Sequence, residues 1–241
     1  MVKRLGVALL AIVVLLGSLV WQAPAWLLTD TLRDRLQGVE LGAASGGLWQ
    51  GRLSHVVVQG LQLDEIHWRV QPSGLWNQRL LQVTTAAPVD VSAELGLADA
   101  ETLIASDVQA RGQIAPLLDA VDVPSMGFDG QFIARLEQAQ LTAKGCSELQ
   151  GKVSIDQLSG DVDGLDALGS IQSTLSCSGG QIVVSIDPDN PMKVRGNLRI
   201  AMNGMPRGQI QLSPPEGSAL YNSLSQFFGK PRNGKDFVLR F

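Results

Sequence analysis

The stretch that decides the fold is Val89 to Leu97, VDVSAELGL, in which apolar residues alternate with polar or small ones. A period of two places the apolar side chains of a β-strand on one face. The same alternation returns in six further stretches: Ile66–Val70, Phe132–Leu136, Val153–Ile155, Ile171–Cys177, Ile182–Ile186 and Val194–Met202. The chain is therefore predicted to be mainly β.

Few helices are expected beside these strands. Helical patterns cover Leu28–Leu36, Ile114–Val121, a single turn near Ser73–Asn77, and Ala219–Phe228. Turns rich in Gly, Asp and Pro join the strands, which predicts an antiparallel meander.

The apolar faces of the strands must be covered, and the predicted helices are too few to cover them. We expect one long curved antiparallel sheet, taco-like or sandwiched, that covers its own apolar face or buries it in a ligand. The residues expected to face a common apolar interior are Trp68, Val91, Phe132, Ile155, Leu175, Val184 and Leu198. Arg69, Asp90 and Gln131 are expected on the opposite, polar face.

The amino-terminal segment Leu5–Trp21, LGVALLAIVVLLGSLVW, contains no charged side chain. A helix of this length rises roughly 26 Å, and the uncharged run continues to Thr29, so it suffices to span a bilayer core. We predict a cytoplasmic tail at 1–4, a transmembrane anchor at 5–27 and a periplasmic β domain at 28–241. Lys3 and Arg4 favour keeping the tail inside, although Arg33 and Arg35 lie on the other side. A secretory signal cleaved near Ala23-Pro24-Ala25 is the alternative.

Composition excludes some classes of partner. The net charge is −4, and no basic stripe is present to neutralise phosphates, which argues against nucleic-acid binding. With 26 glycines and 5% aromatic residues, the composition suits many short strands joined by turns.

The chain has two cysteines, Cys146 and Cys177. In an oxidising compartment such a pair is expected to form one disulfide, and two buried free thiols are the alternative. The bridge is expected to join strands on either side of the segment that carries Val153 and Ile155.

No residue pattern specifies an enzyme. His55 and His67 lack a Ser, Cys or Asp signature, and His67 falls on the polar side of its strand. Asp161–Asp166 lacks the spacing and the terminal glutamate of a calcium loop, so a solvated turn is expected there. No catalytic residue, metal ligand or cofactor is predicted.

Two tryptophan motifs remain: GGLWQGR at 46–52 and WRVQPSGLW at 68–76. Their tryptophans are predicted to be packing anchors where a strand bends, and a binding role is the alternative. The residues concerned are Gly47, Trp49, Gly51, Arg52, Trp68, Pro72 and Trp76.

The order of these features resembles the type II secretion system protein N family. The resemblance rests on the tail and anchor, the Gly-Leu-Trp-Gln-Gly-Arg segment at 47–52, the stretch WRVQPSGLWNQRL at 68–80 and the late cysteine pair. It implies a non-enzymatic, single-pass inner-membrane protein with a periplasmic domain, which supports export of folded proteins across the outer membrane.

The partners implied by the resemblance are other components of the secretion system in the inner membrane or periplasm, with the outer-membrane secretin as a further candidate. A weaker resemblance to AsmA-like and TamB-like proteins implies an alternative function. In that alternative the apolar groove of the sheet binds or transfers lipid.

Overall fold

The computed structural model describes residues 18, 22–27, 29, 39–58, 61–76, 78–99, 101–120, 128–160, 168–201, 206–231 and 233–240. Within them one antiparallel sheet has fourteen strands. The strands are β1 (Val39–Leu41), β2 (Ala44–Gly46), β3 (Gln50–Val58), β4 (Leu61–Val70), β5 (Leu81–Thr85), β6 (Val89–Leu97), β7 (Thr102–Gln113), β8 (Asp129–Thr142), β9 (Gly145–Ser159), β10 (Gly169–Ser178), β11 (Gln181–Ile186), β12 (Val194–Ile200), β13 (Pro206–Leu212) and β14 (Phe237–Arg240). The helices whose bounds lie within the described residues are a 3₁₀ helix (Pro72–Leu75), α1 (Ile114–Ala120) and α2 (Ala219–Phe228).

The topology is an open meander. From β3 to β14 each strand pairs with the next one along the chain, and β1 and β2 both pair with the outer side of β3. The predicted mainly β class, the meander and the small number of helices are confirmed among the described residues, where all strands form one sheet and not two stacked ones.

The predicted common face is confirmed by the register of the strands. Residues paired directly across neighbouring strands point to the same side of a sheet. The ladders that connect the seven predicted residues run Trp68–Val83–Ala93, Val91–Ala110–Ala134–Val153–Ser173, Phe132–Ile155–Ile171 and Leu175–Val184–Leu198. Arg69, Asp90 and Gln131 are exposed, as expected for the polar face.

The degree of cover differs from the prediction. All seven predicted residues are half-buried, and no large side chain among the described residues is fully buried. A single layer explains this difference, because no second layer of described structure lies over most of the face. We name this half-covered side of the sheet the apolar face.

Bulges keep the apolar face continuous along the longest strands. Ser92 pairs with Gln109 and Glu94 with Ser106, so that Asp107 and Val108 together oppose Ala93. Asp107 has φ of 51°, a left-handed conformation that short polar residues tolerate. The extra residue returns Val108 to the face occupied by Ala105, and the two belong to the same apolar cluster. This shift interrupts the alternation of β7, which explains why the sequence pattern did not predict that strand.

Helix α2 covers one part of the apolar face. Ser218 caps it by accepting a hydrogen bond from the Tyr221 N–H, and Gly229 follows the helix with φ of 77°. Leu220, Tyr221 and Leu224 are buried in a cluster with residues of β10, β12 and β14. The predicted bounds of α2 are confirmed.

The cysteines form the predicted disulfide, with Cα atoms 5.7 Å apart. One detail is a correction. Cys146 lies on β9, the strand that also carries Val153 and Ile155, because β9 runs through Gly151 without a turn. The bridge therefore joins β9 to its neighbour β10 and does not flank that segment.

Several predictions fall on other parts of the chain. The tail at 1–4, the helix at Leu28–Leu36 apart from Thr29, and the turn at Asp161–Asp166 lie outside the described residues. Of the anchor at 5–27, only residues 18 and 22–27 are described. No helix in the described part of the chain has the length and apolar character needed to cross a membrane.

Candidate binding surfaces

The two tryptophan motifs meet at one end of the sheet. Gly51 on β3 pairs directly with Trp68 on β4, and the Trp68 indole N–H donates a hydrogen bond of 3.1 Å to the Leu48 carbonyl. A Cβ atom at Gly51 would overlap the indole ring and would lie 2.7 Å from the Ser45 carbonyl oxygen. Glycine at this position lets the ring cross the strand.

The other motif residues have separate roles. Gly47 donates its N–H to the Gln50 carbonyl and closes the β2–β3 turn, while Arg52 bonds the Ser45 hydroxyl at 3.0 Å. Trp49 is half-buried, and its carbonyl accepts the Val70 N–H at 2.7 Å. The packing role predicted for the Trp49 ring stays a prediction.

The second motif agrees only in part. Pro72 begins the 3₁₀ helix, where its fixed φ is favourable and its missing N–H is not needed. Trp76, by contrast, is 91% exposed, so its predicted packing role is wrong. Residue spacing alone did not distinguish a tryptophan that turns inward from one that projects from a loop.

The last part of the predicted anchor joins the first motif. The Ala25 N–H donates to the Gly46 carbonyl at 3.1 Å, and the Leu48 N–H donates to the Ala23 carbonyl at 2.8 Å. Pro24 and Gly47 form an antiparallel bridge between these bonds, and Ala25 is 1% exposed. This end of the sheet is therefore fixed to residues 23–25.

A second surface lies at the carboxyl-terminal edge of the sheet. Strand β14 pairs with β13, and no described strand pairs with its other side. Val238 on β14 is 46% exposed, and Phe227 and Phe228 at the end of α2 are 63% and 50% exposed. An open backbone edge beside exposed apolar side chains can bind an extended segment of another chain. We name β14 with Phe227 and Phe228 the C-terminal edge.

The loop before β14 is ordered by polar contacts. The Ser213 hydroxyl donates to the Asp236 carboxylate, and Asn233 donates to its other oxygen at 2.8 Å. The hydrogen bond from Ser213, followed by that from Asn233, lowers the pKa of Asp236 below its usual range. The C-terminal edge is thus presented on a structured loop.

The sequence predicted only part of the C-terminal edge. The pattern of α2 grouped Leu220, Leu224, Phe227 and Phe228 on one apolar face, but only the first two are buried. The helix pattern identifies apolar positions, but the tertiary structure decides which of them pack against the sheet.

The described residues contain no arrangement typical of catalysis. No group of three or more His, Cys, Asp or Glu side chains there could hold a metal ion. His67 is exposed on the polar face. The His55 ring lies 3.2 Å from the Ser54 hydroxyl, and no described carboxylate is shown hydrogen-bonded to that ring to complete a catalytic triad.

Taken together, a single open sheet with a half-covered apolar face and a free edge is typical of a protein that acts through binding. The chain belongs to the family of type II secretion system protein N, whose family model matches residues 37–240. The protein is thus a component of the type II secretion machinery, which implies contacts with other components of that system. No curated protein and no solved structure matches the chain.

Proposed function

We propose that this protein is a non-enzymatic, inner-membrane-anchored component of the type II secretion system whose periplasmic domain supports export of folded proteins. The observation that carries the proposal is the family match over residues 37–240, which includes all fourteen described strands. The Cys146–Cys177 disulfide supports a periplasmic location, since structural disulfides persist in oxidising compartments.

We further propose that the C-terminal edge binds another component of the system by strand addition. Main-chain hydrogen bonds along β14 would provide the affinity, and the exposed Phe227 and Phe228 would provide an apolar contact. A cavity of about 630 Å³ beside β14, lined in part by Phe228, Pro231 and Val238, leaves room for such a segment.

Photo-crosslinking in secreting cells tests this proposal. A photoreactive amino acid at Val238 is expected to yield an adduct that mass spectrometry identifies as a secretion component. The matched control is the same probe at Arg199, which is exposed on the polar face of the interior strand β12 and is expected to yield no such adduct.

A functional readout accompanies the crosslink. Val238→Lys places a charge on the open edge, which discourages strand addition, and is expected to reduce secretion of a substrate without lowering the amount of the protein. Normal secretion by Val238→Lys, with equal crosslinking at both positions, would contradict a role for the C-terminal edge.

Lipid binding is a second candidate function, favoured by the half-covered apolar face. Leu198 lies on that face and Asn197, its neighbour on β12, is exposed on the polar face. If the apolar face holds acyl chains, native mass spectrometry of detergent-extracted protein should detect bound phospholipid in the wild type and Asn197→Asp. Leu198→Asp should lose that lipid, and a lipid-free wild type would exclude this candidate.

A further inference from the structure

One end of the sheet is marked by the attachment of residues 23–25. In a meander the connections between strands alternate between the two ends of the sheet. This end carries the β2–β3 turn, the β4–β5 loop, the β6–β7 turn and the β8–β9 turn. We name it the anchor-side end, because Ala25 and Ala23, in the last part of the predicted anchor, bond to Gly46 and Leu48 there.

Exposed apolar side chains concentrate at the anchor-side end. Trp76 is 91% exposed, Trp26 54%, Leu97 51%, Leu27 44% and Leu103 39%. Leu97 and Leu103 are direct partners across β6 and β7, so they form one patch. Five exposed large apolar side chains at one end of a sheet suit contact with an apolar or interfacial environment better than contact with water alone.

Hydrogen bonds hold described residues on both sides of Trp76. The Gln71 N–H donates to the Leu80 carbonyl at 2.7 Å, and the Arg79 N–H donates to the Gly74 carbonyl at 3.1 Å. The Arg79 guanidinium also bridges Glu94 at 3.0 Å and Asp107 at 2.8 Å. These contacts restrain described residues on both sides of Trp76, which reduces the entropy lost when Trp76 binds.

A cationic cavity opens on the polar face beside this loop. Its volume is about 690 Å³, and its lining includes Arg52, His67 and Arg69 together with Gln50 and Gln82. Its lining residues include no carboxylate, although the whole chain has a net charge of −4. The Arg69 side chain makes no hydrogen bond or ion pair within the described part of the chain, so its guanidinium can receive an anion. Arginine binds phosphate oxygens through two parallel N–H donors.

We infer that the anchor-side end is a membrane-docking surface that binds anionic phospholipid. Trp76 would enter the headgroup region, where the amphipathic indole ring is favoured, and Arg52 and Arg69 would contact lipid phosphates. Position favours a lipid over a soluble anion, since residues 23–25, which end the proposed membrane span together with Trp26 and Leu27, are bonded to this end of the sheet. The inference rests on the proposed anchoring and adds a lipid class and a fixed orientation to it.

Depth measurement on the full chain in lipid nanodiscs tests the inference. Trp76→Cys carries an environment-sensitive fluorophore, and the matched control is Asp189→Cys, an exposed turn residue at the opposite end. Spin-labelled lipid should quench the probe at position 76 much more strongly than at 189 in nanodiscs of mixed phosphatidylglycerol and phosphatidylcholine. Quenching at 76 should fall in phosphatidylcholine alone, and adding Arg52→Gln with Arg69→Gln should cause the same fall.

The outcomes separate this inference from the proposed anchoring. If the chain is extracted from membranes by alkaline carbonate, the anchoring itself is wrong. If the chain stays embedded but position 76 is quenched no more than position 189, only the docking surface is wrong. Quenching that inorganic phosphate abolishes in embedded protein would show that the cavity binds free phosphate, and this would overturn the lipid assignment.

Discussion

At the scale of single residues, the contact between Gly51 and Trp68 links the two tryptophan motifs. The indole ring crosses β3 where any side chain at position 51 would collide with it, and its N–H is satisfied by the Leu48 carbonyl. The ring thereby ties together β3, β4 and the β2–β3 turn, so the contact affects both the fold and the anchor-side end.

We expect Gly51→Ala to destabilise the protein by about 1 to 3 kcal/mol, because the new methyl group must displace a ring held by a hydrogen bond. Gly47→Ala is the matched control in the same motif. A Cβ atom at Gly47 would find its nearest neighbour, the Ala23 carbonyl oxygen, at 3.6 Å, which is ordinary contact. Chemical denaturation of both variants measures the difference, and equal stabilities would contradict the steric argument.

At the scale of elements, α2 is the described helix that supplies the most cover for the apolar face. Its buried side chains reach strands as distant in sequence as β10 and β14, and Tyr221 packs edge-on against Phe237 with ring centroids 5.4 Å apart. This packing holds β14 in place as the last strand, and with it the C-terminal edge.

We expect Leu224→Ala to lower the free energy of unfolding by about 2 to 5 kcal/mol, because it leaves a cavity between α2 and the sheet. Phe227→Ala, three residues later on the same helix, removes a side chain that is 63% exposed. Its effect on stability should stay within about 0.5 kcal/mol. Thermal unfolding of the two variants compares them, and a larger loss for Phe227→Ala would mean that the α2 surface is packed differently.

At the scale of the whole molecule, one sheet separates an apolar face from a polar one over fourteen strands. Bulges such as that at Asp107 preserve this separation and increase local twist, which supports the proposed curvature of the sheet. The anchor-side end and α2 lie at opposite ends of the strands, so the proposed membrane and partner contacts would not compete for the same surface.

We expect the two faces to respond differently to charge. Leu198→Asp should destabilise the domain by about 1 to 3 kcal/mol, because it places an unpaired carboxylate on the apolar face. Asn197→Asp, on the same strand but facing solvent, should change stability by no more than about 0.5 kcal/mol. Urea unfolding measures both variants, and equal sensitivity would mean that the two faces are similarly buried.

Several features followed from the sequence because they depend on local or repeating patterns. A period of two assigned Trp68, Val91 and Leu198 to one face before any strand was paired, and the apolar pattern of Ala219–Phe228 defined α2. The pattern did not predict strand β7, because its bulge shifts the period. It did not predict β5 and β13 either, because Gln, Thr, Arg and Gly weaken their apolar alternation.

The sequence by itself determined the mainly β class, the division of the strands into two faces, and the cysteine pair available for a disulfide. Only the tertiary structure decided that the sheet stays a single open layer, that Gly51 lies beneath Trp68, and that Trp76 projects from its loop. The physical reason is that the alternation of apolar and polar residues depends on each strand alone. The burial of a side chain depends instead on which residues lie opposite it, and the pairing of distant segments determines those residues.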